Sequence, residues 1–272
     1  MSLNDMHVRA YGVAQFGGST GAWVSAPPVG LCKMSDALFT KAWHMRCLFN
    51  ITGKRKCLCG ALLDGLGLHA YGCADLRNKG PFKQHPHAEL CASVRKIASL
   101  HIPSSSCEIS VPSQEPHYKD FFDRIANPNT KKSEVDSRAD IVIKSKGEGN
   151  TAPATLIDIT ICHPTSNLPC QNFEKPGAAS ETHCQTKLSE VARNWNIADT
   201  KKAIVSMVGM DTTGAMSASA VNFCRFLTQS SPENPEYAPR LGFIKQALSV
   251  SMMYIITSRH NEVMNKFSIP YM

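Results

Sequence analysis

Two short β-like runs, Ser137 to Ile143 and Leu156 to Ile161, each carry one aspartate in a mostly apolar setting. An ionised carboxylate inside an apolar strand is costly unless a partner offsets it. The runs flank Lys146-Gly147-Glu148-Gly149-Asn150, a glycine and asparagine cluster of the kind that reverses a chain between strands. Asp140 and Asp158 are equidistant from Gly149, so a symmetric hairpin places them directly opposite one another. Facing residues of an antiparallel pair have Cβ atoms roughly 4.5–5.5 Å apart, where like charges repel. A divalent cation such as Mg2+ is the simplest compensation, because two carboxylates at that separation can ligate one hard ion. The competing reading puts both aspartates at a sheet edge facing water, which also blocks edge-to-edge pairing. Alternation places Ile157, Ile159 and Ile161 on one face and Leu156, Asp158, Thr160 and Cys162 on the other. Both faces are mostly uncharged, so Asp158 is expected to be more enclosed than an edge residue.

A chain of 272 residues with 43% hydrophobic content can bury a substantial core as one large domain or two smaller ones. Its longest apolar stretch, 247–256, is interrupted by serines and closed by Lys245 and Arg259, too short to span a bilayer. No basic segment followed by an apolar core opens the sequence, so no secretory signal is expected. Eleven cysteines are scattered without the dense spacing of a disulfide scaffold, which favours a reducing, intracellular compartment. Between Lys33 and Lys96 stand eleven Lys or Arg against four acids. That local excess points to a polyanionic partner, although a basic face also serves solvation alone.

Residues 1–34, with Gly17-Gly18 and Pro27-Pro28, read as irregular linker. Ser35 is an N-cap for a helix over about 36–50. Further helices are expected at about 86–100, 180–196, 215–228 and 239–265. The third of the five, at 180–196, has Leu188, Val191, Ala192 and Trp195 as its apolar stripe. A strand is expected at 203–208, and 102–136 reads as one or two strands joined by a long loop.

Cys57, Cys59, His69 and Cys73 give the spacing C-x-C-x9-H-x3-C. Four such ligands can hold Zn2+ tetrahedrally and fold a short loop without a large core. Gly60 supplies the turn, while a single residue between the first two cysteines makes it harder for both thiolates to reach one ion. Unligated, apolar cysteines are the alternative. Lys54, Arg55 and Lys56 on one side, and Arg77, Lys79 and Lys83 on the other, would surround the knuckle with positive charge suited to phosphates.

Taken in order, these pieces resemble the C-terminal region of non-LTR retrotransposon reading frames that carry a restriction-enzyme-like endonuclease. The residues concerned are 21–27 (Gly-Ala-Trp-Val-Ser-Ala-Pro), the knuckle at Cys57, Cys59-Gly60, His69-Ala70 and Cys73, then Arg77 and His87. They continue with Glu115-Pro116, Arg138-Ala139-Asp140, Asp158 to Ile161 with His163-Pro164, and Lys187. The resemblance spans roughly residues 21–210. It implies an α/β fold, a restriction-endonuclease-like mixed sheet flanked by helices, preceded by a small CCHC zinc knuckle. The implied organisation is 1–52 as linker and helical segment, 53–76 as knuckle and 77–272 as a PD-(D/E)xK endonuclease domain. The implied activity is Mg2+-dependent nicking of DNA in the nucleus, exposing a 3′ hydroxyl that primes synthesis by a reverse transcriptase. Asp140 and Asp158 would bind Mg2+, and Lys187 would orient or activate water from the helix, since Thr160 stands where the lysine usually lies. Glu115 would be an additional acid. DNA, with RNA as a second polyanion, and a reverse transcriptase domain outside this chain would be the partners.

Several features depart from that pattern. No Tyr-x-Asp-Asp polymerase motif is present, the first cysteines are spaced C-x-C rather than C-x2-C, and position 139 is alanine where proline is common. A lysine beside an apolar helical stripe is often only solvated; His85 and His87 are candidates for a metal ligand or a phosphate contact, against the reading that a histidine at a helix start is more often structural. Serine-nucleophile and glycine-rich phosphate-loop motifs are missing. A catalytically inactive nucleic-acid-binding remnant and a protein-interaction scaffold therefore stand as alternatives to the nuclease.

Overall fold

The computed structural model describes residues 21–47, 55–57, 59–63, 73, 86–110, 116–125, 138–146, 152–163, 175–266 and 268–270. Five helices run through them in chain order: α1 (Asp36–Arg46), α2 (Pro86–His101), α3 (Ala178–Asn194), α4 (Ala218–Leu227) and α5 (Tyr237–Lys266). The strands are β1 (Arg55–Cys57), β2 (Cys107–Ile109), β3 (Ile141–Ser145), β4 (Ala154–Cys162), β5 (Ala203–Asp211) and β6 (Ser268–Pro270). Strands β2 to β5 form a four-stranded mixed sheet in sequence order, and β1 pairs with β6 in a separate two-stranded ribbon. The chain is thus a mixed α/β protein. Among the described residues no helix is long and apolar enough to cross a membrane.

Local chemistry accounts for the helix boundaries. The Ser35 hydroxyl accepts from the Leu38 amide and the Ser217 hydroxyl from Ala220, satisfying amides that the first turns of α1 and α4 leave free. Pro86 opens α2, where its missing N–H is not needed. Helix α3 starts from Gly177 at φ 76°, and a β-carbon there would strike the Met216 carbonyl oxygen at 2.1 Å. Only glycine fits that position.

Strands β2, β3 and β4 are antiparallel neighbours, while β4 and β5 run parallel, joined through α3 as a crossover. Ile141, Ile143, Ile157, Ile159, Val208 and Met210 line one sheet face and merge with α2, α4 and α5 in the larger core. Val142, Ala154, Leu156 and Ala203 line the other face, with Val191 and Trp195 of the α3 end and with Tyr118 and Phe122. The alternation expected along 156–162 is therefore observed.

Residues 21–34, read as linker, are irregular but anchored. Trp23 is 2% exposed and, with Cys32, joins Ala42 and Met45 of α1 in the larger core. Its ring meets Phe39 edge-on at 5.5 Å.

Candidate functional site

The register of β3 with β4 pairs Ile141 with Ile157, Val142 with Leu156 and Ile143 with Thr155. The ladder ends there: the Asp140 amide donates to the Ile157 carbonyl at 3.0 Å, the residue already paired with Ile141, so Asp140 leaves the regular register just beside Asp158. The two carboxyl groups lie within hydrogen-bonding reach of each other. Asp158 is 1% exposed, so it is no edge residue facing water.

Each acid has its own retinue. Asp158 Oδ1 takes an ion pair from Lys187 of α3, and its Oδ2 accepts from the Tyr118 hydroxyl at 3.2 Å. Lys187 Nζ also reaches the Ile159 carbonyl at 3.4 Å. Asp140 Oδ2 accepts from the Ile159 amide at 2.6 Å and sits 3.3 Å from His87 Nε2. His87 Nε2 is in turn 3.1 Å from the Ile159 carbonyl oxygen. One turn further along α2, Cys91 Sγ is 3.6 Å from His87 Nδ1, and a turn beyond that Arg95 donates to the Asp140 carbonyl. Positions 87, 91 and 95 form a single stripe of α2, because residues four apart share a helix face.

The charges follow from burial and neighbours. Burial pushes Asp158 up to about 7, against the pull of Lys187, and the adjacent Asp140 adds to the rise. Asp140 is also raised by burial, but its hydrogen bond to His87 and the His87 charge outweigh that and hold it below the ordinary carboxylate range. His87 rises to about 10, first through its bond to Asp140 and then through Cys91, against the downward effect of burial. Lys187, pulled down by burial, is held above its ordinary value by Asp158. Tyr118 is pushed up by burial and by Asp158. The acidic pair is thus offset by two cationic side chains, a compensation that the expectation of a metal had assigned to the ion alone.

Lys187 reaches Asp158 because the buried face of α3 is rotated from the expected stripe. Ser180, Cys184, Val191 and Asn194 are its buried positions, and Lys187 falls between Cys184 and Val191. Leu188 and Ala192 are only half-buried. Close approach of the helix to β5 fixes this geometry, since a β-carbon on Gly209 would lie 2.4 Å from Cys184 Sγ and 2.9 Å from the Ser180 carbonyl oxygen. Tyr118 is delivered by a short bridge between His117 and Arg138, in which the Ala139 amide donates to the Pro116 carbonyl.

A second cluster lies on the ribbon. Ligand atoms of Cys57, Cys59 and Cys73 all lie within 4.8 Å of one another, a group that could hold a metal ion, and Cys57 Sγ is 3.8 Å from Cys73 Sγ. The C-x-C spacing is accommodated by a tight reversal: the Cys57 amide donates to the Ala61 carbonyl, the Gly60 amide to the Cys57 carbonyl, and Gly60 adopts φ 87°. Burial pushes the Cys57 thiol up to about 11 without a metal, and Cys73 adds to the rise. Val263 and Met264 of α5 pack against this cluster. Arg55 donates to the Met264 carbonyl at 2.9 Å, so its guanidinium also has a structural task. Lys56 follows it in β1.

His69, Glu115, Lys54, Arg77, Lys79, Lys83, His85 and the Gly147 to Asn150 turn lie outside the described residues. Sequence reasoning did not single out Tyr118, Arg95 or Cys91, and gave His87 no carboxylate partner. The H-x3-C spacing of His87 and Cys91 was a usable signal; Tyr118, in a polar stretch without periodicity, offered none. No family model matches this chain, and no curated protein matches it.

Proposed function

We propose that this chain is a metal-dependent DNA endonuclease of restriction-endonuclease-like type, derived from the C-terminal region of a non-LTR retrotransposon, that nicks one strand by phosphodiester hydrolysis. The observation that carries the reading is the side-by-side placement of Asp140 and Asp158, with Lys187 bonded to the second acid. Fit to a hard cation is supported by the donor set: two carboxylates and the Ile159 carbonyl offer oxygen ligands at one spot.

Mg2+ held by Asp140 and Asp158 would offset charge on the scissile phosphate and lower the pKa of bound water. Lys187 is cationic, so its contribution is to orient the attacking water and balance developing charge, with no role as a base. Tyr118 fixes the rotamer of Asp158, and His87 and Arg95 fix Asp140 from its side-chain and backbone ends. The water oxygen bonds to phosphorus and its proton passes to solvent, while the bond from phosphorus to the 3′ oxygen breaks and that oxygen takes a proton from solvent, leaving a 3′ hydroxyl and a 5′ phosphate. Cys57, Cys59 and Cys73, with His69 as fourth ligand, would hold a structural Zn2+. The basic residues Lys54, Arg55, Lys56, Arg77, Lys79 and Lys83 would guide the DNA backbone, and a reverse transcriptase would use the nick in the nucleus.

The test is nicking of supercoiled plasmid by the purified chain. Wild type should nick in Mg2+ and not in EDTA, and Asp158→Asn or Lys187→Ala should lower the rate by about 10²-fold or more. Equal rates for wild type and Asp158→Asn would overturn the reading. One observation favours a second reading, a nucleic-acid-binding remnant without catalysis: His87 and Lys187 already offset both carboxylates. That protein would bind DNA in a salt-dependent way without cutting it, and His69→Ala would abolish binding.

A further inference from the structure

We propose that His87, Cys91 and Asp140 form a binding site for a thiophilic divalent cation, with Zn2+ as its natural occupant, distinct from the Mg2+ site of the acidic pair but sharing Asp140 with it. The ligand atoms of the three residues lie within 4.8 Å of one another. His87 Nε2 stands 3.3 Å from Asp140 Oδ2 and 4.0 Å from Cys91 Sγ. Bond lengths of about 2.0–2.3 Å at tetrahedral angles put neighbouring ligand atoms roughly 3.3–3.6 Å apart, so small side-chain rotations close the shell.

Three features make this a built site. His87 and Cys91 are four residues apart on α2, the spacing at which a helix presents two ligands on one face. The helix position is fixed by Leu90, Val94, Ile97 and Ala98 in the core, so the ligands are carried on a rigid element. The Ile159 amide already orients Asp140 Oδ2, the outer-shell support that metal-binding carboxylates receive. An imidazole, a thiolate and one carboxylate oxygen are a borderline-to-soft set, which selects Zn2+ over Mg2+. Binding releases the imidazolium and thiol protons, and three protein ligands leave the fourth position open to water.

The proposal does not rest on nuclease activity, and its test uses no cleavage. Metal-free full-length chain is titrated anaerobically with Co2+, and bound Co2+ and thiolate-to-cobalt charge-transfer absorption are read for wild type, Cys91→Ser and His87→Gln. Wild type should hold one more equivalent of Co2+ than Cys91→Ser, and the difference spectrum should show charge transfer from a single thiolate. His87→Gln should keep that band but need at least about 10-fold more Co2+ to develop it. Cys59→Ser, which alters only the ribbon cluster, should leave the Cys91-dependent component in place. Zn2+ should bleach the band. Cys91 is buried, so His87→Gln, at a half-exposed position, keeps the idea falsifiable if Cys91→Ser folds poorly. Growth of that band at the same Co2+ concentrations in wild type and His87→Gln would overturn it.

Discussion

Asp158 shows how a buried charge is tolerated. It is held by one cationic donor, Lys187, and one neutral donor, the Tyr118 hydroxyl, on separate oxygens. A hydrogen bond to a charged group contributes about 1.5–3 kcal/mol and one between neutral groups about 0.5–1.5. Tyr118→Phe should therefore cost more at pH 8, where Asp158 is ionised, than at pH 5, below its value of about 7. Urea denaturation at both pH values checks this; an identical loss at each would show that the hydroxyl does not hold a charged carboxylate. Asp211 is a second buried acid, outside the site. Its Oδ1 accepts from the Thr213 amide and hydroxyl and from the Ala215 amide, while its buried Oδ2 has no partner among the described residues. Burial pushes it up to about 6, against those hydrogen bonds. The folded state therefore binds the proton more tightly than the unfolded chain, so stability falls as pH rises from about 4 through 6, by up to about 3 kcal/mol. Asp211→Asn keeps the Oδ1 bonds and removes the charge. It should be more stable than wild type at pH 8 and no better at pH 4, as measured by chemical denaturation at the two values. Residues like Asp211 are opaque to sequence reading, because nothing in Asp211-Thr212-Thr213-Gly214 reveals that the loop is enclosed.

At the scale of elements, the hairpin was the most legible part. Equal spacing about Gly149 places Asp140 across from Asp158 only if the register is symmetric; the pairing of Ile141 with Ile157 has that symmetry, and Asp140 departs from it by bonding Ile157. Helices with caps and periodicity were legible for the same reason: α1 begins one residue after Ser35, α4 lies within its expected span, and α5 overruns its span by two residues at the start and one at the end. The rotation of α3 was not legible. Leu188 and Ala192 outrank Lys187 in hydrophobicity, yet the face toward the sheet is chosen by how closely the helix can approach, and that depends on Gly209 in a different element. Gly209→Ala tests this coupling directly. The added methyl group would meet Cys184 Sγ at 2.4 Å and the Ser180 carbonyl at 2.9 Å, forcing α3 outward. Overpacking of this kind costs about 1–3 kcal/mol, and the displaced helix would carry Lys187 away from Asp158. The expected result is a lower melting temperature together with a fall in nicking rate beyond what the loss of folded protein explains. Pairing Gly209→Ala with Cys184→Ala opens space for the methyl group and should restore part of both. No recovery in the double variant would place the cause elsewhere.

Across the whole molecule, α5 ties two regions together. Ile244, Leu248, Met252, Ile255 and Ile256 lie in the larger core, whereas Val263 and Met264 near its end pack on Cys57, Leu63 and Cys73. The three-residue strands β1 and β6 close the same region, with Arg55 aligned to Pro270 and Cys57 to Ser268. Neither strand was legible, since Arg-Lys-Cys and Ser-Ile-Pro are too short to show alternation and their partners lie at opposite ends of the sequence. A ribbon this small is marginal in water without further support. Among the described residues its apolar support comes from a few side chains, and three thiols gathered together without an ion add little cohesion. A thiophilic ion would change that, by turning the thiols into ligands and linking 57–59 to Cys73 across the sequence between them. Removal of such an ion with a strong chelator should therefore open the ribbon while the rest of the molecule stays folded, because most of α5 is anchored in the other core. Hydrogen exchange resolves the two outcomes. Amides of Cys57 and Leu63, which bond Ala61 and Arg55 within the reversal, should lose protection by at least about 10-fold, while Asp140 and Ile159 amides keep theirs. Uniform loss across both regions would mean that the cysteine cluster supports the whole fold. No change anywhere would mean that the thiols hold no ion and the ribbon stands on its apolar contacts and strand pairing alone.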